Sequence, residues 1–132
     1  MRFIETNVFI YVLTAHPEFG AVAKRILSRV ENGEESVTSS LVIAEVCAWL
    51  QYHSMKSDVK TFLKALESYP SLRKIDTTYV DLLTAQQLEA KHSHLEFFDR
   101  VYLAQMARLS IDEIYSNDKG FDKIRGIKRI FN

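Results

Sequence analysis

The chain has 132 residues, 47% of them apolar and 26% charged, which is the usual composition of one globular domain. Its 17 basic side chains balance 17 acidic ones, so nucleic-acid binding would need a local basic patch. No apolar stretch reaches the roughly 20 residues that span a bilayer, and the first residues lack the pattern of a secretory leader. We therefore expect a single domain over residues 1–132 in the cytoplasm, without a membrane anchor, with Cys47 as a small apolar core residue.

The first half of the chain predicts short strands alternating with helices. His16-Pro17 separates the first two helices, Gly33 follows the second, and Ser39-Ser40 provides an N-cap for the third. Apolar residues of the second helix recur with a 3.6-residue period, as expected for a helix with one buried face. Strands are expected at 2–4 and 36–38, and helices at 7–15, 18–32 and 40–53.

The second half continues the alternation. Pro70 is expected to end one helix, and Thr77 or Thr78 to cap the next. Strands are expected at 72–76, 112–116 and 126–131, and helices at 58–69, 78–92 and 97–109. This order predicts an α/β fold, a three-layer sandwich in which helices flank a mostly parallel central sheet. In such sheets, polar sites gather at the carboxyl ends of the strands.

Four acids stand where they could form such a site. Glu5 ends the first predicted strand, Asp118 follows the fourth, and Asp99 lies near the start of the last helix. Glu45 is the only charge between positions 41 and 50, in a helix that is apolar on nearly every face and is therefore expected to be buried. Buried carboxylates are unfavourable unless paired, and oxygen ligands suit Mg²⁺ or Mn²⁺.

Each acid also has a structural explanation. Glu5 could cap the following helix or pair with an arginine, and Asp99 could pair with Arg100 or with the helix dipole. Asp118 could form a turn, and Glu45 a salt bridge. The four together are more specific than any one alone, and we interpret them as a cation site.

The segments that carry these acids resemble a known family. IETN (4–7), SSLVIAEV (39–46), FDRVYLAQ (98–105) and SNDKGFDKI (116–124), in this order and spacing, are similar to the PIN domain, and within it to the VapC-like toxins. The resemblance covers residue 3 to about residue 130. The segment from 53 to 95 has the right length and helical character but carries no motif.

The resemblance implies a function and roles for particular residues. It implies an endoribonuclease dependent on Mg²⁺ or Mn²⁺, in which the acids hold the cation, a water attacks RNA, and a 5′-phosphate and a 3′-hydroxyl result. It also implies an antitoxin protein as partner, and a homodimer. The metal and catalytic residues would be Glu5, Glu45, Asp99 and Asp118. The residues that support them by hydrogen bonding would be Thr6, Asn7, Ser116 and Ser39.

One position departs from the family pattern. The first acid is normally Asp and is Glu5 here, which keeps the charge but extends the side chain by one methylene. Catalysis is sensitive to ligand displacements of about half an ångström. A PIN-like module that binds RNA or a protein partner without cutting it is therefore an alternative reading.

A local basic run follows Asp118. Positions 119 to 129 contain five basic residues and one acid. Lys119, Lys123 and Arg125 are candidates for contact with the RNA backbone. A solvated sheet edge would have a similar composition.

Overall fold

The computed structural model describes all 132 residues as six helices and five short strands, with two 3₁₀ turns. The strands are β1 (Arg2–Ile4), β2 (Ser36–Ser39), β3 (Leu72–Ile75), β4 (Glu113–Tyr115) and β5 (Lys128–Ile130). The helices are α1 (Thr6–Leu13), α2 (Gly20–Glu31), α3 (Ser40–Tyr52), α4 (Ser57–Leu66), α5 (Tyr79–Gln87) and α6 (Phe97–Arg108). The 3₁₀ turns are Leu88–Ala90 and Lys119–Lys123.

The strands form one sheet in the order β3-β2-β1-β4-β5, and every neighbouring pair is parallel. β1 lies at the centre, with Arg2 paired to Ser36 of β2 on one side and to Glu113 of β4 on the other. The α/β sandwich is therefore confirmed, and its sheet is entirely parallel. The strand order reverses direction beside β1, which makes the carboxyl ends of β1 and β4 the expected place for a ligand site.

The helices cover the sheet with apolar faces. A core cluster of 26 buried residues includes Phe3 and Ile4 from β1 and Ile114 and Tyr115 from β4. α2 contributes the 3.6-residue stripe expected from its sequence, Ala23, Ile26, Leu27 and Val30. None of the helices combines the length and the apolar character that crossing a bilayer requires.

Two helices differ from expectation. The prediction that α3 is buried on all sides is wrong, because it buries one stripe, Val42, Val46 and Leu50, while alanines elsewhere on its surface are exposed. A helix packed on one side of a sheet needs only such a stripe, whatever the character of its other faces. α4 ends at Leu66 and does not run on to Pro70.

The predicted helix starts are confirmed at two places. The Ser39 hydroxyl accepts a hydrogen bond from the Val42 amide at the start of α3. Thr78 caps α5 in a capping box with Asp81, in which each side chain accepts from the other residue's backbone amide.

Candidate active site

The fold brings the four acids to one end of the sheet. Glu5 directly follows β1, Asp118 lies three residues beyond β4, Glu45 comes from the middle of α3, and Asp99 from the first turn of α6. Their charges act on one another: Asp99 and Glu45 raise the pKa of Glu5, and Asp118 and Glu45 raise the pKa of Asp99. These effects place the charges near one another, but of the four acids only Glu45 and Asp99 line a common pocket.

Glu5 is the most deeply buried of the four, with 7% of its surface exposed. Burial first, and then the nearby charges of Asp99 and Glu45, raise its pKa from 4.5 to about 8, although a hydrogen bond from Ser116 acts in the opposite direction. The Ser116 hydroxyl donates to Glu5 Oε2 at 3.0 Å, while the carboxylate has no basic partner. The arginine-pair explanation for Glu5 is therefore wrong.

The helix-cap explanation for Glu5 also fails. Glu5 occupies the N-cap position of α1, but no side-chain hydrogen bond caps the helix. The backbone N–H of Asn7 lies near the carboxylate and lowers the pKa of Glu5, but it does not meet the geometry of a capping hydrogen bond. The side chain is directed instead to Ser116, at the end of the neighbouring strand.

Glu45 is half-buried and held by two hydroxyls. Thr6 Oγ1 and Tyr102 OH both donate to Glu45 Oε1, the tyrosine at 2.8 Å. The other oxygen, Oε2, makes no hydrogen bond to the protein, and Glu45 forms no salt bridge. The salt-bridge explanation is therefore wrong, and Thr6 has the supporting role that the family resemblance implied.

Ser116 connects three parts of the site. Besides donating to Glu5, its hydroxyl accepts from the Asp118 amide at 2.9 Å and from Asn7 Nδ2 at 3.4 Å. Asn7 Oδ1 in turn accepts from the Asn117 amide at 3.3 Å. These bonds tie the start of α1 to the loop after β4, and so fix the two loops that carry Glu5 and Asp118.

Asp118 makes the turn that its sequence suggested, and its charge also acts on Asp99. Its Oδ1 accepts from the Gly120 amide at 2.8 Å, which is the expected turn, and its Oδ2 makes no hydrogen bond to the protein. The carboxylate is exposed and still raises the pKa of Asp99. The turn therefore orients the side chain without neutralising it.

Asp99 lines a pocket of about 370 Å³ together with Glu45, Glu96, Phe97 and Phe98. Burial, then the charges of Asp118, Glu45 and Glu96, raise its pKa from 3.8 to about 7. Glu96 was missed by the sequence reasoning, although its position three residues before Asp99, one helical turn away, was a usable signal.

Arg100 does not neutralise Asp99. Its guanidinium is buried and donates to the Leu95 carbonyl at 2.6 Å and the Ala85 carbonyl at 3.2 Å. The expected ion pair is therefore wrong, because neighbouring residues on a helix point in different directions. Arg100 instead holds the loop before α6 against α5.

Ser39 does not contact the acids. Its hydroxyl accepts only from the Val42 amide, at 3.4 Å, so its observed part is to start α3. The role implied for it beside Thr6, Asn7 and Ser116 is not supported by any hydrogen bond.

The four acids have the right chemistry to bind a hard cation, but their side chains are not arranged around a common point. All the groups are carboxylates, and Glu45 and Asp118 each keep an oxygen free of protein hydrogen bonds. However, no group of three or more Asp, Glu, His or Cys side chains is arranged so that it could hold a metal ion. Side-chain movement would be needed for these acids to share one.

The basic run after Asp118 divides into two groups. Lys128 pairs with Glu113 at 3.6 Å, and Arg129 with Asp122 at 2.8 Å. Lys119, Lys123 and Arg125 are exposed and form no salt bridge. These three cations are thus available to a polyanion beside the acidic site.

The chain is similar to VapC proteins in sequence and in fold. It is 26% identical to the ribonuclease VapC13 of Mycobacterium tuberculosis, over 98% of this chain and 99% of the relative. Among solved structures, VapC20 of M. tuberculosis, a toxin that cleaves the sarcin–ricin loop, superposes with a TM-score of 0.76 at 20% identity, covering 90% of this chain and 91% of that one. A toxin–antitoxin complex from Klebsiella pneumoniae gives a TM-score of 0.70 at 15% identity, covering 97% and 96% of the two chains.

The PIN domain model matches residues 2–127, a span that contains all four acids. It runs from the first residue of β1 to the residue before β5. The chain is therefore a member of the PIN-domain family, and it is similar to VapC ribonucleases over nearly its whole length.

Proposed function

We propose that the protein is an endoribonuclease dependent on Mg²⁺ or Mn²⁺ and the toxin of a toxin–antitoxin pair. The observation that carries this proposal is the group of uncompensated acids at the carboxyl end of the sheet, where burial and like charges raise the pKa of Glu5 and Asp99. Such a group is unfavourable by itself and suits a divalent cation. The match over nearly its whole length to a curated VapC ribonuclease supports RNA as the substrate.

The cation would be held by Glu5, Glu45, Asp99 and Asp118. When bound, it supplies an activated water and stabilises the charge that grows on the scissile phosphate. The protein supplies no nucleophilic side chain in this scheme. Its contribution is to bring four carboxylates from four separate segments to one place.

The hydroxyl and amide groups around the acids serve to fix their positions. Ser116 orients Glu5 and the backbone at Asp118, and Asn7 holds Ser116. Thr6 and Tyr102 hold one oxygen of Glu45, which leaves the other directed to a ligand. Precise orientation of this kind matters because catalysis falls steeply when ligands are misplaced.

Two observations favour a second candidate, a PIN-like module that binds RNA or a protein without cutting. Glu5 is longer than the usual Asp, and no three acids are arranged to hold one ion. In that case the site would bind its partner through charge, and cleavage would be weak or absent.

The proposed partners are RNA, an antitoxin protein and a second copy of the chain. The antitoxin is supported by the toxin–antitoxin complexes among the solved neighbours. We expect the antitoxin to present a cationic side chain to the acidic pocket, since the pocket has no basic group of its own. We also propose that residues 1–132 act as a single domain in the cytoplasm.

A metal titration followed by an RNA cleavage assay tests the proposal. Mn²⁺ and Mg²⁺ should raise the melting temperature of the parent protein, because only the folded state brings the acids together. Glu45→Gln should reduce that response and abolish cleavage. Glu35→Gln, which changes an exposed acid just before β2, should leave both unchanged.

The two candidate functions give different results. A metal-dependent rise in melting temperature with cleavage supports the nuclease, and binding of RNA without cleavage supports the binding module. A melting temperature that neither metal changes would contradict the cation site.

A further inference from the structure

Two phenylalanines stand at the start of α6 without belonging to the core. Phe97 and Phe98 are 37% and 40% exposed, and neither is among the buried residues of the main hydrophobic cluster. Exposed single apolar residues are common, but two adjacent exposed rings are less easily explained by folding alone. Their exposed faces are free to contact a ligand.

Both rings line the acidic pocket. The same cavity is bordered by Glu45 and Asp99, so a molecule that reaches these carboxylates lies beside the rings. The ring centroids are 6.4 Å apart and the planes are tilted by 53°, so the two rings cannot sandwich a flat group between parallel faces. One ring can stack on such a group while the other contacts its edge.

Phe97 is held in place by its neighbour on the helix. The Arg100 guanidinium lies 5.9 Å from the centre of the Phe97 ring, and two carbonyl acceptors fix the guanidinium itself. Arg100 lies over the Phe97 ring and no cation lies over the Phe98 ring, which is 40% exposed against 37%, so we take Phe98 as the ring more open to a ligand.

A contact between two loops brings the turn with Lys119 and Lys123 near the loop that leads into this pocket. His94 Nε2 lies 3.1 Å from the Gly120 carbonyl oxygen, and a Cβ added at Gly120 would come within 2.9 Å of Leu95 Cδ2. The loop that leads into Phe97 therefore touches the 3₁₀ turn that carries Lys119 and Lys123. The exposed cations Lys119 and Lys123 therefore lie on a turn that contacts the loop leading into the pocket of carboxylates and aromatic rings.

We propose that Phe97 and Phe98 form a stacking surface for an unpaired nucleobase next to the scissile phosphate, with Phe98 as the main contact. The inference rests on the proposed ribonuclease function and specifies its substrate as single-stranded RNA or an RNA loop. Bases in a duplex are stacked on each other and cannot reach a ring, whereas bases in loops are free to do so. An aromatic ring, the carboxylates and cations for the flanking phosphates are the groups that such a substrate requires.

The binding test uses a short single-stranded RNA that carries 2-aminopurine, a fluorescent base, at each position in turn. Calcium replaces magnesium, since it occupies oxygen sites with looser geometry and allows binding to be measured apart from cleavage. Stacking should quench the fluorescence at one position. Phe98→Ala should abolish that quench and weaken binding about tenfold, and Phe98→Trp should restore both.

Tyr79→Ala is the matched control, because Tyr79 is an exposed aromatic residue on α5 that does not line the pocket. It should leave quenching and affinity unchanged. All variants are compared by melting temperature, so that loss of folding is recognised. In magnesium, the parent should cleave the single strand and spare the same sequence in a perfect duplex.

The outcomes separate this inference from the proposed function. If the parent neither binds nor cleaves RNA, the ribonuclease proposal fails. If the parent binds and cleaves but Phe98→Ala keeps the quench and the affinity, the stacking surface is refuted. Unchanged RNA binding together with weaker binding of an antitoxin protein would assign the rings to a protein interface, and would also overturn the inference.

Discussion

Replacing Glu5 by Gln should stabilise the metal-free protein at high pH. Burial and two neighbouring carboxylates raise the Glu5 pKa from 4.5 to about 8, so the folded state binds this proton more tightly than the unfolded chain does. The resulting stability is complete below about pH 4.5 and is lost as the pH rises through 8. At about 1.4 kcal/mol for each pH unit, the interval between the two pKa values corresponds to a loss of about 5 kcal/mol in the free energy of unfolding.

Asp99 adds to the same trend, since its pKa is raised from 3.8 to about 7. Groups whose pKa is lowered act the other way: Asp81, held by Arg108, makes the protein less stable in strong acid. The informative window therefore lies between pH 5.5 and pH 9, above the range where Asp81 titrates.

The assay is thermal or urea unfolding in a chelator across that window. The parent should lose stability steadily, whereas Glu5→Gln should lose less and exceed the parent at pH 9 by up to about 5 kcal/mol, or more than about 10 °C in melting temperature. At pH 5.5, one unit above the unfolded pKa of 4.5, the difference should be only about 1.4 kcal/mol. Glu35→Gln is the control for removing an acid in general.

Manganese should reverse the order at pH 8, because under the proposed function the parent would bind the cation with four carboxylates and Glu5→Gln with three. Parallel pH profiles of parent and Glu5→Gln in the chelator would refute the reasoning, since they would mean that Glu5 carries no unfavourable charge.

Three further predictions concern activity. Glu5→Asp should raise RNA cleavage about tenfold at saturating manganese with little change in metal affinity, because a shorter side chain holds its carboxylate in a more fixed position. Equal or lower cleavage would show that Glu5 is already a competent ligand. Replacing Lys119, Lys123 and Arg125 by Gln should weaken RNA binding and reduce the slope of log affinity against log salt concentration by about 2, as measured by a salt titration. An unchanged slope would show that the three are ordinary surface residues. Gly120→Ala should lower cleavage about tenfold with a small change in melting temperature. The added Cβ would lie 2.9 Å from Leu95 Cδ2 and 3.1 Å from Asp118 Oδ1, and would push the two loops apart. Unaltered kinetics would show that the loops adjust freely.

Local patterns were enough to predict most of the fold. The 3.6-residue stripe of α2 and the caps at Ser39 and Thr78 depend on nearby residues, and all three were confirmed. The direction of β5 was harder to predict, because residues 116–127 connect it to β4 through a 3₁₀ turn and not through the usual crossover helix.

Contacts within the site were less predictable. Sequence order placed Glu5 and Asp118 at strand ends, but hydrogen bonds decide that Ser116 joins them and that Ser39 does not. Arg100 follows Asp99 in sequence and yet binds carbonyls on another helix and loop. Side-chain direction depends on packing between distant segments, which spacing along the chain does not encode.

The central place of β1 in the sheet has a consequence during synthesis on the ribosome. Arg2 pairs with Glu113, 111 residues later, so the first strand to emerge must wait for one of its two partners until most of the chain has been translated. Pairings over such a distance form slowly, because a long loop must close before they stabilise the fold. The last of the four acids also lies beyond β4, so a nascent or prematurely terminated chain cannot assemble the site. If the proposed ribonuclease needs all four acids, it would stay inactive while the ribosome is still making it.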